Sequence, residues 1–345
     1  MNTIENWGGG ENWHFKTAIY LLNRGYSIFF ILNKNSVLDK KLQNYPEIQR
    51  IYIKFKKFSY LNPIIHYSLY KAFQKNKINI VIFNSIRDTN SASISAKIAG
   101  VKRRIFRYGS SKPLKKKLLT YLSLRYNLTD IFANSQALKE KLIQIKFIDD
   151  KKVDVLYNYV KIEEIPKKTA KYPITLGVSS RLVFNKGFKP MLKSIYQIKD
   201  KEFKVAIAGT GKDREKIEEI IEEYQLNNHI EMRGFIEDIG SFYKDIDILL
   251  HFSYEDGTSN SILEAMSHKL PIIAFNQSSY PEMVTNRYNG FLVQADNIKE
   301  MKEAIESFID NPSLIEEMGE ASFQIVKDKF KESKILDTFI ERYIK

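Results

Sequence analysis

Short apolar runs rich in β-branched and aromatic residues alternate with longer stretches of helical period along the whole chain, and few folds accommodate that alternation. In the first half the runs are Tyr26–Leu32 ("YSIFFIL"), Ile48–Phe55, Ile78–Ser85, Arg103–Gly109, Asp130–Ser135 and Lys152–Asn158. In the second half they are Ile174–Ser180, Phe203–Gly209, Ile230–Ile236, Asp247–Ser253, Pro271–Asn276 and Gly290–Ala295. Such runs, too apolar to have one wet face, suit parallel strands covered on both sides by helices. Between the two sets lies Lys161–Pro173 ("KIEEIPKKTAKYP"), which has two prolines, dense charge and no period, and reads as a linker. At 345 residues the chain is too long for one small core. The expectation is an α/β protein of two doubly wound, Rossmann-like domains, residues 1–165 and 166–330, with residues 331–345 as a terminal helical segment. The first helix is predicted over about Asn12 to Asn23, with Gly25 as a left-handed cap. Only six residues precede Trp7, so the N-terminal sheet is expected to lack the strand that normally leads into a glycine turn.

The chain has no cysteine, which excludes disulfides, thiolate chemistry and Cys-ligated zinc. Its apolar runs fall far short of the roughly 20 residues of a spanning helix, and the N-terminus has no signal pattern, so a soluble cytoplasmic protein is expected. Charge is divided unevenly. Residues 1–170 carry 31 Lys+Arg against 12 Asp+Glu, and residues 171–345 carry 23 against 29, so the two halves hold +19 and −6 of the net +13. A general lysine bias would inflate both halves. The basic half instead points to a polyanion: nucleic acid, an anionic membrane surface, or an acidic or phosphorylated glycan.

Three stretches carry candidate chemistry. Gly8-Gly9-Gly10-Glu11 opens a helix, where glycines let the backbone approach a ligand and free N–H groups attract anions; a structural turn is an equal reading, since neither a dinucleotide fingerprint nor a Walker loop is spelled. In Gly177–Phe188 ("GVSSRLVFNKGF") a strand ends in small residues before Arg181 and Lys186, a planar fork and a flexible point charge suited to a diphosphate. In Ser253–Met266 ("SYEDGTSNSILEAM") a polar loop follows a strand, and a helix begins near Asn260. Ile262, Leu263 and Met266 share one face of it, while Asn260, Glu264 and His268 lie opposite, leaving Glu264 free to face a ligand. A carboxylate there can accept two hydroxyls of a ribose diol, and the N–H groups of Gly257, Thr258 and Ser259 can hold phosphate or sugar oxygens.

"SRLVFNKG", "AGTGKDREKIEEII", "IEMRGFI", "DGTSNSILEAM" and "PEMVTNRYNGFLV", in that order and spacing, resemble the nucleotide-sugar domain of family 4 retaining glycosyltransferases, which have the GT-B fold. "GGGENWHFKTAIYLLNRGY", "IFANSQALKEKL" and "VDVLYNYV" resemble the N-terminal half of the same family more loosely. The resemblance implies a nucleoside-diphosphate sugar as donor substrate, a glycan or lipid-linked acceptor, and no cofactor or metal. It implies Arg181 and Lys186 at the donor diphosphate, Glu264 at the ribose, and Asp256 with the amides of Gly257 to Asn260 at the transferred sugar. It also implies Gly9 and Gly10 near the donor phosphates or acceptor, Gly209 and Gly211 at the nucleotide base, and a terminal helix, about Ser333 to Tyr343, that crosses back to the N-terminal domain. This sequence departs from the family pattern in having Asp256 where glutamate is usual, so that the loop moves in or Glu255 substitutes. The histidine many members place near the transferred sugar is also missing: none occurs between His66 and His229, and Asn84, Arg107 or Tyr108 occupies the strand ends where it would stand.

A metal-dependent transferase of the other major fold would show Asp-x-Asp after a strand. Asp245-Ile246-Asp247 has that spelling, but its place before "ILLHF" predicts a helix end and a strand entry. From another class, a non-enzymatic nucleic-acid binder would account for the aromatic and cationic stretches "IYIKFKKFSY" and "VKRRIFRYGSSKPLKKKLLTYL". It gives the acidic constellation around Asp256 and Glu264 no role, so nucleic acid is not the expected partner. The same stretches suit a face on anionic lipid.

Overall fold

The computed structural model describes all residues except 56–58, 111–113, 115–116 and 167–171. Parts of the predicted linker and of both aromatic and cationic stretches thus lie outside the described residues. The chain falls into two compact units, Met1–Tyr157 together with Leu336–Lys345, and Asn158–Ile335.

Each of the twelve apolar runs holds one strand, trimmed at its ends. In the first unit β1 (Phe29–Leu32) pairs with β2 (Gln49–Tyr52), while β3 (Ile80–Phe83), β4 (Arg103–Tyr108), β5 (Asp130–Ala133) and β6 (Val153–Val155) form a second sheet in that order, all parallel. The chain's first two residues stand between the two pieces. The Met1 amine donates to the Ile82 carbonyl at 2.7 Å, Asn2 N–H to Ile31 at 3.1 Å, and Asn84 N–H to Met1 at 3.2 Å. Beside them lies a cavity of about 840 Å³ lined by Phe29, Phe30, Ile80 and Val81 among others. Met1 and Asn2 thus bridge β1 and β3 through the main chain.

The first helix is Gly9–Leu22, three residues earlier at its start than predicted, because Gly8 is extended and Gly9 and Gly10 already belong to the first turn. Gly25, at φ +83°, takes the left-handed cap position expected of it. At the other end of the chain the helix Glu332–Phe339 continues into a wider helical turn, Ile340–Ile344. Phe339 packs edge-on to Trp13 at 6.2 Å and lies near Phe132 and Tyr343, and the Arg342 guanidinium pairs with Asp154.

The second unit has one sheet of six parallel strands, β7 (Ile174–Ser179), β8 (Phe203–Ala208), β9 (Ile230–Gly234), β10 (Ile248–His251), β11 (Ile272–Phe275) and β12 (Gly290–Val293). Their order is β12-β11-β10-β7-β8-β9. The chain first winds from β7 towards β9, then returns to start again at β10 on the other side of β7. Crossover loops leave in opposite directions from β7 and β10, which opens a crevice at the carboxyl ends of these two strands. Every residue of β10 and β11 is buried, as the unbroken apolar runs require.

Candidate active site

The crevice at the ends of β7 and β10 is where the two strongest sequence candidates meet. After β7 the chain passes Arg181 and makes a tight turn, Phe184–Lys186, before the helix Phe188–Tyr196. Gly187 joins turn to helix at φ +74°, and a Cβ there would stand 2.1 Å from the Phe252 carbonyl oxygen. Only glycine fits, because the left-handed backbone and the close approach to the segment after β10 are both needed. That approach brings Lys186 over the loop that follows β10.

The Lys186 ammonium donates to both carboxylate oxygens of Asp256, at 2.9 and 2.8 Å, and to Ser253 Oγ at 3.0 Å. Two further groups hold the same carboxylate. The Tyr280 hydroxyl donates to Asp256 Oδ2 at 3.1 Å, and His251 Nε2 lies 3.3 Å from that oxygen. Burial alone would raise the Asp256 pKa, but the His251 hydrogen bond and the Lys186 charge outweigh it and hold the carboxyl well below the usual carboxylate range. Burial pushes the His251 imidazole down despite the opposing pull of Asp256, so it is neutral near pH 7. Among the described residues it is Asp256, and not Glu255, whose carboxylate pairs with Lys186.

The loop beyond Asp256 is fixed from several sides. Asn158 Nδ2 donates to the Thr258 carbonyl at 2.8 Å and to Asn260 Oδ1 at 3.0 Å, and Ser279 Oγ donates to the Gly257 carbonyl at 2.6 Å. The Ser259 hydroxyl caps the helix Asn260–Ser267 by accepting from Ile262 N–H. Ser261 Oγ donates to the Ser179 carbonyl at 2.9 Å, tying the start of that helix to the end of β7. Glu264 therefore sits one turn from the same crevice. It is half-buried rather than free, because the fully buried Tyr243 hydroxyl donates to Glu264 Oε2 at 3.3 Å. A buried hydroxyl must find an acceptor, and the wheel that placed Glu264 opposite Ile262 could not show Tyr243 arriving from another helix. Burial, and then the Glu264 charge, raise the Tyr243 pKa well above its ordinary value.

Arg181 is exposed at the crevice edge and makes no ion pair among the described residues. Its loop is positioned by main-chain bonds, Ser180 N–H to the Ala208 carbonyl and Leu182 N–H to Thr210, and by the two glycines after β8. A Cβ at Gly209 would lie 1.9 Å from the Ser180 carbonyl oxygen, and one at Gly211 would lie 2.2 Å from that of Leu182. Both glycines are thus required by backbone packing against the Arg181 loop, whatever else they line.

In the first unit Gly10 has a similar role. A Cβ there would meet Asn84 Oδ1 at 2.6 Å, and Asn84 Nδ2 donates to the buried Glu11 carboxylate at 2.7 Å. Gly9 stands beside it in the first turn of the helix. Sequence reasoning passed over His14, which is buried on this helix and pushed well below the ordinary imidazole range by burial, then by the N-terminal amine and Arg107. Arg107 and Tyr108, at the end of β4, are buried, and the Arg107 guanidinium lies 4.9 Å over the Trp13 ring. His251 and Tyr280 were also missed. The one signal for His251 was a polar residue at the carboxyl end of an otherwise apolar strand. Asp247, by contrast, is buried and accepts from Thr175 N–H at 2.9 Å, between a helix that ends at Asp245 and the start of β10.

With this geometry in view, two family models match the chain: Glycosyltransferase Family 4 over residues 7–164 and Glycosyl transferases group 1 over residues 160–324. A poly(ribitol-phosphate) alpha-N-acetylglucosaminyltransferase of Staphylococcus aureus is 25% identical over 59% of this chain and 42% of its own length. An N-acetylgalactosamine-N,N'-diacetylbacillosaminyl-diphospho-undecaprenol 4-alpha-N-acetylgalactosaminyltransferase of Campylobacter jejuni is 23% identical over 89% of this chain and 88% of its own. Against several curated relatives the chain spans only about half of their length, 42 to 61%. Among solved structures, Anabaena HepE in complex with UDP superposes with a TM-score of 0.84 at 17% identity, covering 98% of this chain and 97% of that one.

Proposed function

Starting from a chain that belongs to the family 4 glycosyltransferases of GT-B fold, we propose that it moves a sugar from a nucleoside-diphosphate sugar to a hydroxyl of a glycan or lipid-linked glycan, with retention and without a bound metal. The observation that carries this reading is the meeting of Lys186 with Asp256 at the switch point between β7 and β10, with Arg181 and Glu264 at its edges. Lys186 and Arg181 bind the diphosphate, Glu264 accepts the ribose hydroxyls, and Asp256 with the following loop holds the transferred sugar. The bond between the anomeric carbon and the diphosphate oxygen breaks as the acceptor oxygen attacks from the same face. The acceptor proton passes to the departing phosphate oxygen. Two cations aimed at that oxygen stabilise the charge that grows on it.

A cell-surface polymer as product is supported by the relatives that act on poly(ribitol-phosphate) and on a diphospho-undecaprenol glycan. Both acceptors are anionic, which suits the +19 of residues 1–170, and an undecaprenol-linked acceptor supports a reading in which the work is done at the inner face of a membrane. No helix among the described residues is long and apolar enough to cross one. A nucleic-acid binder is set aside because it leaves the Lys186, Asp256 and Glu264 constellation without a role.

The test is a thermal-shift panel of nucleotide sugars, since a donor at a hundred times its Kd stabilises the native state by about 2.7 kcal/mol. A rise for one nucleotide series, followed by turnover that survives a chelator and gives an axial or equatorial linkage matching the donor, is the expected result. No shift for any nucleotide sugar would end the proposal.

A further inference from the structure

Residues 48–129 hold 18 Lys+Arg and a single acidic residue, Asp88. Asp88 is 1% exposed, so this stretch presents no carboxylate to solvent. Within it, the helices Pro63–Lys75, Ile86–Ile98 and Leu118–Leu122 form one layer over a common core that includes Leu69, Phe73, Ala92, Ala96 and Leu124. Polar bonds lace the layer together. Gln74 Nε2 donates to the Ala99 carbonyl at 2.9 Å, the His66 ring meets Ser95 Oγ at 2.8 Å, and Asn90 Nδ2 donates to Thr120 Oγ1 at 3.2 Å.

The outer surface of that layer is apolar and cationic at once. Leu61, Ile64 and Leu118 are 69, 73 and 74% exposed, and Tyr67, Ile94, Ile98, Leu122 and Tyr126 are exposed as well. Single exposed apolar residues need no explanation, but eight on these helices and the turns that flank them do. Among them stand Lys71, Lys75, Lys97, Lys117 and Arg125, all exposed and none in an ion pair among the described residues. A protein surface facing only water is normally a mixture of both signs, in which neighbouring charges offset each other.

We propose that the outer surface of these three helices docks onto anionic phospholipid. The aliphatic side chains enter the boundary between headgroups and acyl chains, and the lysines meet the phosphates. Six of the eight exposed apolar residues are leucine or isoleucine, with no ring to stack on a base, which favours lipid over single-stranded RNA. The inference deepens the function proposed above by naming the face that meets the membrane.

Co-sedimentation of the full chain with vesicles tests it. Vesicles of phosphatidylglycerol and phosphatidylcholine in roughly a one-to-three ratio are expected to bind the protein, with binding that falls as salt rises, and pure phosphatidylcholine is expected not to. Lys71→Gln and Lys97→Gln should each weaken binding about fivefold, the effect of one lysine near an anionic surface. The double substitution Ile64→Ser with Leu118→Ser, at exposed positions that leave the core intact, should weaken it tenfold or more, by about the apolar transfer lost. Equal binding to both kinds of vesicle, or wild-type binding by these variants, would overturn the proposal. So would RNA binding tighter than vesicle binding and indifferent to the loss of Ile64 and Leu118. Vesicle binding through this face without affinity for any nucleotide sugar would sink the transferase reading alone, and the converse would sink the lipid surface alone.

Discussion

In the unit Asn158–Ile335 the cation over the strand ends, Lys186, is matched by Asp256 at 2.8 Å, whereas five exposed cations on the helical layer of the unit Met1–Tyr157 form no ion pair among the described residues. On the two proposals above, the difference lies in how each surface would receive an anion. On the function proposed above, a matched, half-buried pair keeps both charges oriented and desolvated between turnovers, so a diphosphate that draws Lys186 towards itself meets a fixed charge. Asp256 is not stranded by that movement, because Tyr280 and His251 still donate to it. Unmatched surface lysines are loosely placed and hydrated, and they act through the sum of their field. Salt separates the two cases: donor binding in the crevice should change little between low and physiological ionic strength, and attraction at the helical layer should weaken steeply.

The sharpest break of this comparison is Lys186→Ala. Removing one donor that stabilises a developing oxyanion costs on the order of 10²- to 10³-fold in kcat, and that loss is expected here while vesicle binding stays at the wild-type level. Steady-state turnover beside co-sedimentation of the same preparation reads both. Unchanged turnover would mean that the matched pair is a structural ion pair and that the anion site lies elsewhere.

Next in size is Gly187→Ala, which asks whether the matched charge depends on backbone geometry. The substitution places a Cβ 2.1 Å from a main-chain oxygen at φ +74°, so the turn carrying Lys186 must move away from Phe252. Left-handed strain and the displaced contact together predict a loss of roughly 3 kcal/mol or more. Urea unfolding of the full chain measures it. A loss below about 1 kcal/mol, within the range of an unstrained glycine-to-alanine change, would show that the turn can relax without its glycine.

How far these features could be seen in the sequence follows from the reach of the interactions involved. All twelve strands were legible, since burial between helical layers writes an unbroken apolar run that needs no distant partner to be recognised. The places of Arg181, Lys186, Asp256 and Glu264 after such runs were legible, and the topology sets the ends of β7 and β10 that carry them side by side. His251, Tyr280, Tyr243 and His14 were not. Each acts through a contact whose partner lies in another element or depends on the register of a turn, and nothing local marks a buried tyrosine that donates to a carboxylate apart from one that only fills space. The start of the first helix moved from Asn12 to Gly9 for a related reason: glycine is a poor helix former, yet Gly10 is held in the turn by the approach of Asn84.

The smallest expected effect is the most informative about the matched pair. In Tyr280→Phe the ring still fills its buried place, but Asp256 loses one of the three groups that stabilise its ionised form. The carboxyl pKa therefore rises from its depressed position towards the ordinary carboxylate value of about 3.9. A depressed carboxyl contributes stability that is present above its unfolded value and is lost as pH falls towards the folded one, so the variant should resemble wild type near pH 7 and lose stability and activity sooner on acidification. At neutral pH the rate should fall less than about tenfold, the worth of one hydrogen bond to a charged group at its lower end. The acid limb of kcat/KM should move to higher pH in the variant. His251 sets a second reference in the same titration: its imidazole is held neutral by burial, so stability also declines below its unfolded value of about 6.5, and that decline should be the same with and without the Tyr280 hydroxyl. An acid limb that does not move would assign the holding of Asp256 to Lys186 and His251 alone, and the crevice would then lose Asp256 as soon as a diphosphate claimed the lysine.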